Sequence, residues 1–169
     1  MKLSLVIMAA GLGSRYGGNK QVDGIGPHGE FLMEYAIYDA LRAGFGRIVF
    51  IIKPEMRELI ERLCGSLAGR TALDGSPAEV CYAYQTFDSL PAFYRVPAGR
   101  TRPYGTVHAL LCAEEAVTGP CCVINADDFY GLDAYRQMAQ ELRRLPAEGG
   151  AAMVGYLLKN TASLHGTVT

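Results

Sequence analysis

Neither sign of charge dominates this chain: 16 lysines and arginines stand against 17 aspartates and glutamates, a formal net charge of −1. It lacks the basic field that gathers DNA or RNA, so nucleic acid is excluded and small-molecule partners are expected. No apolar run approaches the ~20 residues needed to span a bilayer. The run Leu3 to Ala10 is close to a signal-peptide core in length but leads straight into a glycine-rich segment, so the expectation is a cytoplasmic protein that does not engage a membrane. The five cysteines (Cys64, Cys81, Cys112, Cys121, Cys122) are odd in number, lie among apolar residues and lack C-x-x-C spacing. Buried reduced thiols are expected, not a zinc or redox site. His28, His108 and His165 have no mutual spacing that fits a metal centre, and are expected to be solvated or locally bonded. The 169 residues, half of them hydrophobic and a fifth charged, suit one globular domain.

What the sequence does have is a place to hold phosphate. The apolar run Leu3 to Met8 reads as a strand, and it breaks into Ala9-Ala10-Gly11-Leu12-Gly13-Ser14-Arg15-Tyr16-Gly17-Gly18-Asn19-Lys20-Gln21. Glycines there let backbone N–H groups turn toward an anion, while Arg15 and Lys20 supply mobile positive charge. Two common glycine-loop motifs fail on these residues. A P-loop requires G-x-x-x-x-G-K-[ST], but Asn19 separates Gly18 from Lys20, and Gln21 stands where a hydroxyl is needed. A dinucleotide fingerprint requires G-x-G-x-x-G with an acidic residue closing the second strand, yet position 16 is Tyr and that strand runs into Lys53-Pro54. A plain surface loop with solvated cations remains the alternative reading of the segment taken alone.

Strand and helix patterns alternate along the chain. Met33, Ile37 and Leu41 recur at helical spacing, Arg47 to Ile52 is a β-branched run, and Pro54 suits the first turn of a helix bearing Met56, Leu59, Ile60 and Leu63. Glu79 to Gln85 predicts a third strand, followed by a long irregular stretch containing Pro91, Pro97, Gly99 and Pro103. A helix from Thr106 with Val107, Leu110 and Leu111 as its apolar face, a strand Cys121 to Asn125, a helix through Leu132, Tyr135 and Leu142, and a fifth strand Ala151 to Leu158 complete the pattern. Strands separated by helices imply βαβ units, hence an α/β fold with a mostly parallel sheet covered on both faces. Ligands in such sheets bind beyond the carboxyl ends of the strands. The glycine loop, Gln85 and Asp127 all fall there. Asp127 and Asp128 could instead cap the following helix, and Gln85 could be an ordinary strand-end polar group.

These segments together resemble the sugar-phosphate nucleotidyltransferase family over nearly the whole chain. Met8-Ala-Ala-Gly-Leu-Gly-Ser-Arg15 is similar to the family's G-x-G-[ST]-R signature, with Lys20-Gln21 closing the loop after a shorter interval. Tyr82-Ala-Tyr-Gln85 is similar to the segment whose Gln reads the nucleobase, and Pro103-Tyr-Gly105-Thr106 to the turn that closes over base and ribose. Val123-Ile-Asn-Ala-Asp127-Asp128 resembles the strand whose first acidic residue binds magnesium, and His165-Gly166-Thr-Val168 more loosely resembles a sugar-side turn. The resemblance implies a three-layer αβα sandwich with a mostly parallel, mixed sheet of Rossmann-like, GT-A-like type. It implies transfer of a nucleoside monophosphate from a nucleoside triphosphate to a sugar 1-phosphate, with Mg2+ as cofactor. Its implied site comprises Arg15 and Lys20 as catalytic residues, Ala10, Gly11, Gly13, Ser14, Gln85, Gly105 and Thr106 around the nucleotide, Asp127 on the metal and Gly166 on the substrate.

The alternatives are a non-catalytic nucleotide sensor of the same fold, or transfer to phosphocholine or a molybdopterin. Family members are longer, so residues 1–169 are expected to be an amino-terminal fragment, a single nucleotide-binding domain cut at its C-terminal end with little or no transferase activity of its own. An exposed sheet edge at that end predicts a homodimer or strand exchange.

Overall fold

A computed structural model of the chain describes residues 2–11, 26–64, 70–146 and 148–162. Strand β1 (Leu3–Met8) is buried along almost its whole length, as expected of a central parallel strand covered on both faces. Helix α1 (Leu32–Ala43) follows. The Glu34 carboxylate accepts the Phe31 N–H at 2.8 Å to satisfy its first turn. Gly44 ends it at φ 97°, a left-handed conformation suited to a residue without Cβ, and the chain passes at once into β2 (Phe45–Ile52). That immediate exit is why β2 starts two residues earlier than the β-branched run alone predicts. A single 3-10 turn at Pro54–Met56 leads into α2 (Arg57–Cys64), with Pro at a position where its missing N–H costs nothing. Then come β3 (Glu79–Tyr84), α3 (Thr106–Cys112), β4 (Cys121–Asn125), α4 (Leu132–Leu142) and a one-turn α5 (Leu158–Thr161).

The four strands lie in the order β3-β2-β1-β4, and every pairing is parallel. Alternation along the strands splits the core in two. On one face Leu5, Ile7, Ile48, Phe50, Ile52 and Ile124 pack against Ile37 and Leu41 of α1, Ile60 of α2, and Tyr135 and Ala139 of α4. On the other, Val6, Val49, Ile51 and Ala83 meet Ala109 and Ala113, around the end of α3. Phe50 stacks on Tyr82 with ring centroids 5.7 Å apart. This is the three-layer α/β arrangement the alternating pattern predicts.

The fifth strand is the exception. Residues 151–157 join no ladder among the described residues, Met153, Leu157 and Leu158 are exposed, and α5 follows. An apolar run makes a strand only where it pairs with a sheet edge, and among the described residues the outer edge of β4 takes no partner. Here the segment is held instead by a side chain, the Tyr156 hydroxyl donating to the Tyr130 carbonyl at 2.9 Å.

All five cysteines are free thiols; Cys64 is buried and the others half-buried. Burial pushes the Cys64 thiol up to about 12 and, with a smaller contribution from Cys121, that of Cys122 to about 11. Among the described residues no helix is long and apolar enough to cross a membrane.

Candidate functional site

The chain steps from β1 to β2 to β3 in one direction, then returns to the other side of β1 to form β4. The strand order therefore reverses between β1 and β4, and the crevice beyond their carboxyl ends is where ligands bind in open α/β sheets. Three backbone bonds carry the ladder one residue past the strands: Ala9 N to Ile51 O (2.9 Å), Gln85 N to Ile52 O (2.8 Å) and Ala126 N to Met8 O (3.3 Å). The residues that follow are thereby held level along one rim. There a cleft of about 360 Å³ is lined by Met8, Ala10, Gly11, Ile51, Gln85, Tyr104, Gly105, Thr106, Ala109, Asn125 and Asp127.

Six residues singled out from sequence thus share one cavity: Ala10, Gly11, Gln85, Gly105, Thr106 and Asp127. They come from the ends of three strands and the start of α3, from Ala10 to Asp127 in sequence. Gly13, Ser14, Arg15, Lys20 and Gly166 lie outside the described residues. Gln85 is buried, and its Nε2 donates to the Tyr104 carbonyl at 2.8 Å, tying the end of β3 to the turn before α3.

Asp127 is exposed on the cleft, four positions before Gly131, which is the cap residue of α4 and makes no side-chain cap bond. Asp128 does not cap that helix either. Its Oδ2 accepts the Asn125 side-chain amide at 2.7 Å and the Tyr130 hydroxyl at 3.3 Å, while that hydroxyl accepts the Asn125 N–H at 3.1 Å. Asp128 braces the turn that carries Asp127.

Two polar wall residues, Tyr104 and Asn125, have no role of their own in the sequence pattern, and neither does His108, which meets Tyr104 edge-on. His108 is buried and locally bonded, one of the two outcomes expected of the histidines. The sequence pattern points elsewhere: the apolar residues Val107, Leu110 and Leu111 predict the buried face of α3, yet all three are exposed and His108 and Ala109 turn inward to the sheet. The long segment before α3 reaches the cleft through Tyr104. The Tyr94 and Tyr104 hydroxyls share a 2.8 Å bond, and the Arg100 guanidinium lies 3.9 Å over the Tyr104 ring. The bond to Tyr94, ahead of burial, pushes the Tyr104 phenol above its ordinary titration range. Arg95, Arg100 and Arg102 are all exposed.

A second cavity of about 360 Å³ lies between β4, α4 and residues 150–156, lined among others by Cys122, Ile124, Tyr135, Met138 and Met153. No charged side chain is among its described lining residues, so it offers a polyanion no balancing cation. Among the described residues no group of three or more His, Cys, Asp or Glu could hold a metal by itself. Magnesium on a nucleotide does not require one, since it binds through one or two carboxylates and takes its remaining oxygens from phosphate and water. A single carboxylate at the rim, Asp127, fits that pattern.

The nucleotidyl transferase family model matches residues 5–169. Among solved structures, the crystal structure of UDP-glucose pyrophosphorylase complexed with UDP-glucose aligns at a TM-score of 0.55 and 18% identity, covering 85% of this chain and 54% of that one. The likeness is one of fold, and the chain spans about half the length of that protein. Comparison with curated proteins finds no match. A parallel sheet with its cleft at the β1/β4 switch and a family match over residues 5–169 lead to one conclusion: the chain belongs to the nucleotidyl transferase family.

Proposed function

We propose that the cleft binds a nucleoside triphosphate and that the reaction it serves is nucleotidyl transfer to a sugar 1-phosphate. The observation that carries this reading is the meeting of Ala10, Gly11, Gln85, Gly105, Thr106 and Asp127 in one cavity at the switch point. A phosphate oxygen of the acceptor attacks the α-phosphorus, the bond to the bridging oxygen of the β-phosphate breaks, and pyrophosphate leaves in line. Two polyanions must be brought together, so the protein's work is positioning and charge neutralisation, with no covalent intermediate.

Ala10 and Gly11 begin the loop that holds phosphate through backbone N–H groups, and Gly13 and Ser14 continue it. Arg15 balances charge on the departing pyrophosphate; Lys20 contacts the α-phosphate or the incoming acceptor. Gln85 faces the base, with Gly105 and Thr106 beside base and ribose, and Gly166 belongs to the sugar side. Mg2+, held on one side by Asp127, would supply charge neutralisation across the phosphate oxygens. The pyrophosphorylase whose fold this chain shares was solved with UDP-glucose, which supports uridine or thymidine nucleotides as the first to test.

A thermal-shift screen of ATP, GTP, CTP, UTP and dTTP with magnesium tests the reading. A ligand at a hundred times its Kd stabilises the folded state by about 2.7 kcal/mol. UTP or dTTP is expected to raise the midpoint most. A chain whose midpoint moves with none of the five would contradict the proposal.

A further inference from the structure

Gln85 is anchored by a chain of polar contacts that determines which of its amide atoms is left for a ligand. An amide nitrogen and oxygen have nearly the same shape, so only the partners assign them. Nε2 lies 2.8 Å from the Tyr104 carbonyl oxygen, a position only an N–H can occupy without repulsion. The same nitrogen lies 3.5 Å from His108 Nδ1, while His108 Nε2 lies 3.0 Å from the Thr86 carbonyl oxygen.

One tautomer satisfies these contacts together with that of the Cys112 thiol, which lies 3.6 Å from Nε2 and donates to the Thr86 carbonyl at 4.0 Å. Nε2 carries the hydrogen and donates to Thr86, and Nδ1 is bare and accepts the second amide hydrogen of Gln85. The opposite tautomer sets N–H against N–H at one end and a lone pair against a carbonyl at the other. The ring is also held from the sides: it stacks on Phe87 at 6.5 Å with 13° between planes and meets Tyr104 edge-on at 5.7 Å. His108 is 4% exposed and Gln85 8%, so an unmatched donor or acceptor at either would carry a full desolvation penalty.

We propose that His108 is a positioning residue: by accepting the second amide hydrogen of Gln85 it keeps the amide carbonyl oxygen as the atom offered to the cleft. The cleft then favours a base with an N–H on its pairing edge, uracil or thymine, over cytosine, whose ring nitrogen at that place is itself an acceptor. The inference rests on the nucleotide reading of the cleft. A site built to accept a hydrogen bond discriminates because the wrong partner leaves buried polar groups unmatched.

Calorimetry with UTP and CTP on the whole chain, in a double-mutant cycle, separates positioning from general support of the fold. The unaltered chain is expected to bind UTP about tenfold tighter than CTP, the equivalent of one hydrogen bond. His108→Phe, which keeps a ring between Phe87 and Tyr104, is expected to narrow that ratio to about twofold or less. In a Gln85→Ala background the same substitution is expected to change nothing, whereas with Gln85 in place His108→Asn, whose amide oxygen can replace Nδ1, is expected to keep the preference. A ratio kept in His108→Phe, or an equal loss of UTP binding in both backgrounds, would overturn the inference while leaving the nucleotide reading in place. Failure of the unaltered chain to bind any triphosphate would overturn both. Nitrogen-15 spectra of His108 at neutral pH decide the point without a variant: a protonated Nε2 is expected, and a protonated Nδ1 would overturn it.

Discussion

Asp127→Ala is expected to abolish nearly all the stabilisation that a magnesium-bound triphosphate gives the protein. Groups that merely orient a metal ligand are worth about 10- to 100-fold in metal affinity, so losing the ligand itself should cost at least as much. At a nucleotide concentration of a hundred times Kd, a hundredfold loss reduces the stabilisation from about 2.7 to about 0.4 kcal/mol. The check is the midpoint shift with UTP, with and without magnesium, for the unaltered and altered chains; ligand-free midpoints separate lost binding from lost fold. Binding that survives the substitution unchanged in magnesium would favour a nucleotide sensor of the same fold over an enzyme. Asp128→Ala is not equivalent, because Asp128 braces the turn through Asn125 and Tyr130.

Phe50→Ala is expected to have the largest effect on folding. Phe50 is fully buried in the central strand β2, packed against the helical layer on one face of the sheet and stacked on Tyr82. Truncating a buried aromatic typically costs about 3–5 kcal/mol, because the neighbours close the space only in part. Domains of this kind have about 5–15 kcal/mol in all, so this one change removes a large share. Urea denaturation followed by circular dichroism should show a lower midpoint with a similar slope. A midpoint within experimental scatter of the unaltered chain would mean that the packing described here is wrong.

Much of this fold was legible before any coordinates. β1 and β4 occur where short apolar runs meet turn residues, and α1 and α4 where apolar residues recur at helical spacing, because full burial and one-sided burial each leave a pattern in the sequence. The run at 151–158 carries the same local signal as β4 and makes no strand: it lies beside β4 without pairing, and pairing is not a local property. The cleft was legible in parts: Gln85, Gly105, Thr106 and Asp127 each stand at a strand or helix end, and the strand order brings those ends together. Capping by Asp128 is a fair expectation because Asp favours helix starts, but the turn after β4 offers it closer donors in Asn125 and Tyr130. His108 was left unassigned because its function depends on which nitrogen bears the hydrogen, which only Thr86, Gln85 and Tyr104 in three dimensions determine.

A triphosphate is expected to sit at the β1/β4 switch and not elsewhere on the molecule. Backbone amide NMR during titration with UTP and magnesium tests this directly. The largest shifts are expected at Gly11, Gln85, Gly105, Thr106 and Asp127, with Tyr135 and Met138 beside the apolar cavity unmoved. Shifts concentrated at Tyr135 and Met138, or none at the strand ends under saturating nucleotide, would contradict it.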